Sequence, residues 1–121
     1  MEINWDILKA HYLQSARAAQ LDSLALNLTR IQTLLESGDQ QFAYHLVRES
    51  QFFIEWTVPT IDLDTDLLTA TELIDLQRQL SIWKLDWSAL WENLADRQTA
   101  MAQIQSWIAR LQAQARTTSA A

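Results

Sequence analysis

Between Leu73 and Ala115 the apolar positions recur at alternating steps of three and four residues. They run Leu73, Leu76, Leu80, Trp83, Trp87, Leu90, Leu94, then Arg97, and on through Met101, Ile104, Ile108, Leu111 and Ala115. This is the a/d pattern of helices that pack side by side, interrupted only by Arg97. One helix over these residues would extend roughly 64 Å at 1.5 Å per residue, more than a compact chain of this size covers. Asn93-Leu94-Ala95-Asp96 offers a turn, with Asn93 or Asp96 as the cap of a final helix. The stripe is therefore read as two consecutive helices that share a register.

The N-terminal third has a less uniform pattern. Asn4 can cap a helix whose first turn carries Asp6, the sign of charge that a helix N-terminus favours. Trp5, Leu8, Tyr12, Ala16 and Ala19 share one side, while Leu21, Leu24, Leu28, Ile31 and Leu35 lie about 140° round the helix. The sequence thus predicts a helix over 5–36 that bends or restarts near Asp22-Ser23, or whose two halves pack on different neighbours. Ser37-Gly38-Asp39 reads as a stop and restart, with Gly38 in the left-handed position that ends a helix and Asp39 as the next N-cap.

A second helix over 40–56 carries Phe42, Ala43, Leu46, Val47, Phe53 and Ile54 on a broad face widened by Phe52 and Trp56. A face that wide is buried on more than one side. Residues 57–64 read as a loop, because Pro59 disfavours helix at Val58. Thr69-Ala70-Thr71-Glu72 has the form of a capping box, with Leu68 and Leu73 as its hydrophobic staple, and the next helix is expected to start between Asp64 and Thr69. The fold class is all-α: an antiparallel four-helix bundle with helices near 5–36, 40–56, 65–92 and 95–115. The alternative is a helical hairpin followed by one long C-terminal helix that completes its core in a dimer. One domain over 1–115 is expected, followed by a frayed tail at 116–121.

Composition supports the helical reading. The 121 residues include one Gly and one Pro, and 49% are hydrophobic, enough for a single sizeable core. The formal charge is −6 with the nine basic residues scattered, which argues against nucleic acid and anionic membranes as partners. Cysteine is absent, so disulfides, thiol chemistry and thiolate metal sites are excluded. The N-terminus lacks the basic and apolar segments of a signal peptide, and no apolar run is long enough to span a bilayer. A cytoplasmic protein is expected.

Candidate chemistry is sparse. Trp83, Trp87 and Trp91 recur at i, i+4 and i+8 along one side of a helix, where they can fill the core, form a contact for another protein, or line an apolar pocket. His45 and Glu49 are four apart and read as a local polar pair. Two ligands do not make a metal site, and no metal or other cofactor is expected. Asp62, Asp64 and Asp66 alternate like the opening of a calcium loop. The pattern then fails at Leu67, where Gly is required, and at Leu73, where a bidentate Glu belongs. Together with Glu55, Glu72 and Asp75 they make the segment 51–75 strongly acidic, with no Lys or Arg, which suits a basic partner or the N-terminus of a helix. Arg97 in the seam either pairs with an acid or marks where the seam ends. No nucleophile, phosphate loop or His–acid–hydroxyl grouping points to an enzyme.

Residues 39–56 (DQQFAYHLVRESQFFIEW) and 72–80 (ELIDLQRQL) resemble small uncharacterised helical proteins of cyanobacteria. The resemblance covers about a third of the chain and implies no activity, ligand or site. The function expected is a non-enzymatic protein-interaction module, an assembly factor, adaptor or regulator. It would use the acidic segment and the Trp-rich helix to meet another protein of basic character, with a homodimer as the alternative assembly. A carrier or sensor of an apolar ligand such as a pigment or lipid, held in a Trp-lined groove, is the second reading.

Overall fold

The computed structural model describes residues 4–120, with side chains through Thr118. Residues 1–3, where the reading of the N-terminus begins, and Ala121, the end of the expected tail, lie outside the described residues. The all-α class is as expected, but the division into four helices is not. Six α-helices are formed: α1 (Trp5–Gln14), α2 (Arg17–Ser37), α3 (Gln40–Thr57), α4 (Leu67–Leu85), α5 (Trp87–Glu92) and α6 (Leu94–Ala120). A 3-10 turn at Val58–Thr60 follows α3.

The expected 5–36 helix breaks at Ser15 and Ala16, seven residues before the position read from the sequence. Asn4 caps α1 as expected, its side chain accepting from the Ile7 N–H at 3.1 Å. Ser15 then leaves helical geometry (φ −74°, ψ 151°). The Tyr12 carbonyl freed at the break accepts from the Ser15 N–H and from Gln20 Nε2, both at 3.1 Å. The physical reason is the offset between the two apolar stripes. One straight helix cannot send Tyr12 and Leu21 into the same core, so the axis is redirected between them. Ala16 and Ala19 consequently end up exposed rather than on the buried face.

Gly38 is needed for space and not for a left-handed backbone. Its φ is −107°, and no described residue has a positive φ. A Cβ there would meet the Leu34 Cα at 2.7 Å and the Leu34 side chain besides. Asp39 caps α3 as expected, accepting from the N–H groups of Gln41 at 2.8 Å and Phe42 at 3.1 Å.

At the centre lies α2, which packs against α3 on one side and α6 on the other. Its Leu21, Leu24, Leu28, Ile31 and Leu35 are buried with Leu46, Val47 and Ile54 of α3 and Ile104 and Leu111 of α6. Burying each such side chain contributes about 1.5–3 kcal/mol. α1 covers the outer face of α3: Trp5 lies over Phe52 with centroids 4.6 Å apart, and Tyr12 stacks on Phe53 at 4.3 Å. Ala43, Leu46, Val47, Phe53 and Ile54 of the wide apolar face of α3 are thus buried, Phe52 and Trp56 are half-buried, and Phe42 stays exposed.

The a/d stripe breaks twice, at Asp86 (φ −128°, ψ 48°) and at Asn93, so the single long C-terminal helix is not formed. Asn93, not Asp96, caps α6, accepting from the Asp96 N–H at 3.1 Å. Arg97 accordingly falls half-buried in the first turn of α6, with no ion pair among the described residues, and the buried stripe goes on beyond it through Ile104, Ile108, Leu111 and Ala115. α6 runs on to Ala120.

α4 starts at Leu67, inside the expected range, but Thr69 and Glu72 do not form a capping box. Thr69 is buried within the helix and donates to Gln114 Oε1 of α6 at 3.0 Å, while Glu72 reaches Arg110 of α6 at 3.6 Å. The residues read as a cap instead tie α4 to α6. α4 is tied to α3 through Gln51, which donates to Ser81 Oγ at 3.0 Å and accepts from Lys84 Nζ at 3.1 Å.

Two outcomes follow from these contacts. Gly38→Ala should lower stability by about 1–3 kcal/mol, because the Leu34 backbone as well as its side chain occupies the space; urea unfolding measures it. The Tyr12 hydroxyl, 2.7 Å from Thr57 Oγ1, is buried, and burial pushes its pKa from 10.0 up to about 12 against the opposing pull of Thr57 and Arg17. The folded state therefore prefers the neutral phenol. Its contribution is complete below pH 10 and is lost as pH rises from about 10 to about 12, by roughly 1.4 kcal/mol per unit. Unfolding curves of wild type and Tyr12→Phe compared across that range should diverge, with wild type losing more.

Candidate protein-interaction surface

α4 is apolar on two opposite sides. Thr69, Ala70, Leu73, Leu76, Leu80 and Trp83 are buried toward the rest of the fold. Leu67, Leu68, Ile74, Ile82 and Leu85 are exposed, by 49% at Ile74 to 90% at Leu85. At 100° per residue the exposed set centres roughly 180° from the buried set. The same outer face carries Thr71, Asp75 and Arg78, all exposed. Asp75 and Arg78 have no ion pair within the chain among the described residues.

Beside Ile74 the surface dips into an apolar groove of about 260 Å³ lined by Ile54, Val58, Pro59, Ile74 and the flanking Glu55 and Gln77. It lies between the end of α3, the 3-10 turn that contains Pro59, and α4. Gln77 reaches across to the Gln51 carbonyl at 3.4 Å, leaving its own Oε1 buried without a partner among the described residues.

The acidic residues are not one cluster. Asp62 and Asp64 are exposed and Asp66 half-buried in the turn before α4, where Asp62 Oδ1 accepts from the Asp64 N–H at 3.0 Å. Glu72 stands apart from them, turned toward Arg110. Among the described residues no three His, Asp or Glu side chains are gathered as a metal ion requires.

Nor do the three tryptophans share a helix face. The break at Asp86 puts Trp83 on α4 and Trp87 and Trp91 on α5. Trp83 and Trp87 are each only 8% exposed, with Trp87 Nε1 donating to the Gln40 carbonyl at 3.2 Å and its ring edge-on to Trp91 at 5.8 Å. They are core. The surplus apolar surface in this region belongs to their neighbours Ile82, Leu85 and Leu94. A cavity of about 240 Å³ beside them is lined by Ile82, Trp83, Leu90 and Ala100 with Asp86 and Asp96 at its rim.

His45 and Glu49 do form the expected pair, Nε2 to Oε2 at 3.9 Å. The carboxylate has a structural duty as well. Glu49 Oε1 accepts at 3.1 Å from Asn27 Nδ2, an α2 side chain that is 2% exposed.

The reading of the sequence missed Leu67, Ile74 and Leu85. Their signal was present as a second stripe in opposite phase to Leu73, Leu76, Leu80 and Trp83, and it was obscured because the a/d repeat claimed the helix for one face.

Comparison with protein-family models, curated proteins and solved structures returned no match. The surface is therefore interpreted from its own chemistry.

The Asn27–Glu49–His45 arrangement yields a contrast. Glu49→Ala leaves the buried Asn27 amide unpaired and should cost about 1–3 kcal/mol. His45→Ala, at a third exposed, should cost less than about 1 kcal/mol. Thermal or denaturant unfolding of the two variants separates them, and equal losses would contradict the assignment.

Proposed function

We propose that this chain is a non-enzymatic protein-interaction module, an assembly factor, adaptor or regulator of the cytoplasm, and that α4 presents its docking face. One observation carries the reading: five large apolar side chains of α4 stand exposed on the side opposite its buried stripe. Single exposed apolar residues are ordinary, but a helix-long band of them is characteristic of surfaces that are covered in use. Covering it yields about 25 cal/mol per Å² of apolar surface removed from water.

The charge around this band favours a basic contact. Asp62, Asp64 and Asp66 lie at its N-terminal end and Glu55 at the edge of the adjoining groove, and a field of that sign raises the encounter rate with a cationic segment. The same sign, with a net charge of −6, disfavours nucleic acid. No helix among the described residues is long and apolar enough to cross a membrane.

A photo-crosslinking amino acid placed at Ile74, and separately at Arg30 on the exposed side of α2, tests the reading in the native host. Ile74 should give protein adducts and Arg30 none; adducts at neither site would refute a docking role for α4. Asp62→Asn, Asp64→Asn and Asp66→Asn combined should slow formation of the Ile74 adduct several-fold. An asparagine at 62 retains a side-chain oxygen for the Asp64 N–H, so the turn survives the loss of charge.

A further inference from the structure

The cavity of about 240 Å³ where α4, α5 and α6 meet has an apolar interior and a polar rim. Trp83, Leu90 and Ala100, each at most 8% exposed, form the interior. Asp86, Asp96, Thr99 and Gln103, all exposed, surround it, and no Lys, Arg or His lines it. Neither carboxylate has an ion pair among the described residues. Asp86 also lacks the local bond its position invites. It stands at the N-cap of α5, where an aspartate ordinarily accepts from N–H groups of the next turn, yet its side chain caps nothing. Asp39 and Asn93 do cap the helices they precede.

The rim therefore accepts hydrogen bonds far more than it donates them. Thr99 spends its hydroxyl proton on the Ala95 carbonyl at 3.1 Å, which leaves its lone pairs for an incoming donor. Two uncompensated carboxylates over an apolar floor suit a cation rich in N–H groups and carried on an apolar stem. They do not suit a metal ion, since no third His, Asp or Glu joins them among the described residues. The volume falls below the roughly 300–1,000 Å³ of pockets that enclose whole small molecules, and suits one long side chain instead. Arginine fits better than lysine: its planar guanidinium offers five donors to several acceptors at once, is less strongly hydrated, and is attracted to an indole ring.

From these observations we infer that the cavity between α4, α5 and α6 is a socket for an arginine side chain of a partner protein, its stem against Trp83 and Leu90 and its guanidinium shared by Asp86 and Asp96. The source of that arginine rests on the reading of the chain as a protein-interaction module; the chemistry of the socket does not. Ile82, one of the exposed apolar residues of α4, is also a wall of the cavity, so the socket is continuous with the docking face.

Titration of the isotopically labelled full chain with N-acetyl-arginine methylamide, followed by NMR, tests the socket. Saturable shifts are expected at the Trp83 indole N–H and at the amides of Ala89, Thr99 and Gln103, with the indoles of Trp5 and Trp107 unmoved. So small a probe should bind in the millimolar range. The neutral citrulline analogue should bind at least tenfold more weakly. Asp86→Asn and Asp96→Asn should each weaken arginine binding about two- to fivefold, as expected for exposed charge pairs, at an unchanged melting temperature. Ala89→Arg, at an exposed wall, supplies the cation from within the chain and should block the probe.

Shifts that are absent, that fail to saturate, or that the citrulline analogue matches overturn the socket. Spermidine saturating it at a lower concentration than the arginine probe overturns the protein partner in favour of a free polyamine. In the native host, a photo-crosslinking amino acid at Ala89 should give a protein adduct that Asp86→Asn and Asp96→Asn together suppress. Adducts at Ile74 but not at Ala89 refute the arginine contact and leave the docking role of α4 standing; charge-dependent adducts at Ala89 but not at Ile74 do the reverse.

Discussion

Burial of the α2 stripe is the constraint from which the other placements follow. Leu21, Leu24, Leu28, Ile31 and Leu35 are at most 2% exposed, and removing them from water requires neighbours on two sides at once. α3 and α6 supply those neighbours, α3 directly after the Gly38 turn and α6 from the far end of the chain. The break between α1 and α2 is a consequence. With α2 oriented by its own stripe, the preceding residues can bury Tyr12 only by changing direction, and they do so at Ser15.

Elements farther from α2 add polar bonds between helices to their packing. Tyr12 reaches Thr57, Arg17 reaches the Thr60 hydroxyl at 2.8 Å, and Trp87 reaches the Gln40 carbonyl. α4, whose Leu73, Leu76 and Leu80 are buried as deeply as the α2 stripe, is held besides to α3 through Gln51 and to α6 through Thr69 and Glu72. Such bonds hold direction and register, while each contributes only about 0.5–1.5 kcal/mol net. They also leave the opposite side of α4 without a neighbour. That is how a helix apolar on both sides comes to sit at the surface of a chain whose interior is already filled.

Much of this was legible before any coordinates. Scarce Gly and Pro with three–four spacing indicate helices, and the caps at Asn4, Asp39 and Asn93 could be placed because a side-chain oxygen satisfying exposed N–H groups is a local matter. The pairing of His45 with Glu49 was local for the same reason, being one helical turn apart. Thr69 and Glu72 were misread because their spacing suits a cap, while their partners, Gln114 and Arg110, are about forty residues away in sequence. The tryptophans were misread as one line because the a/d phase passes unchanged through Asp86, where the backbone does not.

The dividing line is one of range. Helix, cap and heptad phase depend on residues within a turn or two of one another, so the chain order specifies them wherever it is read. Which apolar stripe faces the core depends on how many neighbours the fold can bring to each helix, and α2, with a single stripe, takes two. α4 offers two stripes and receives neighbours for one. The amino-acid order allows either side of α4 to be buried; packing around α2 selects Leu73, Leu76, Leu80 and Trp83 and leaves Leu67, Ile74 and Leu85 in water.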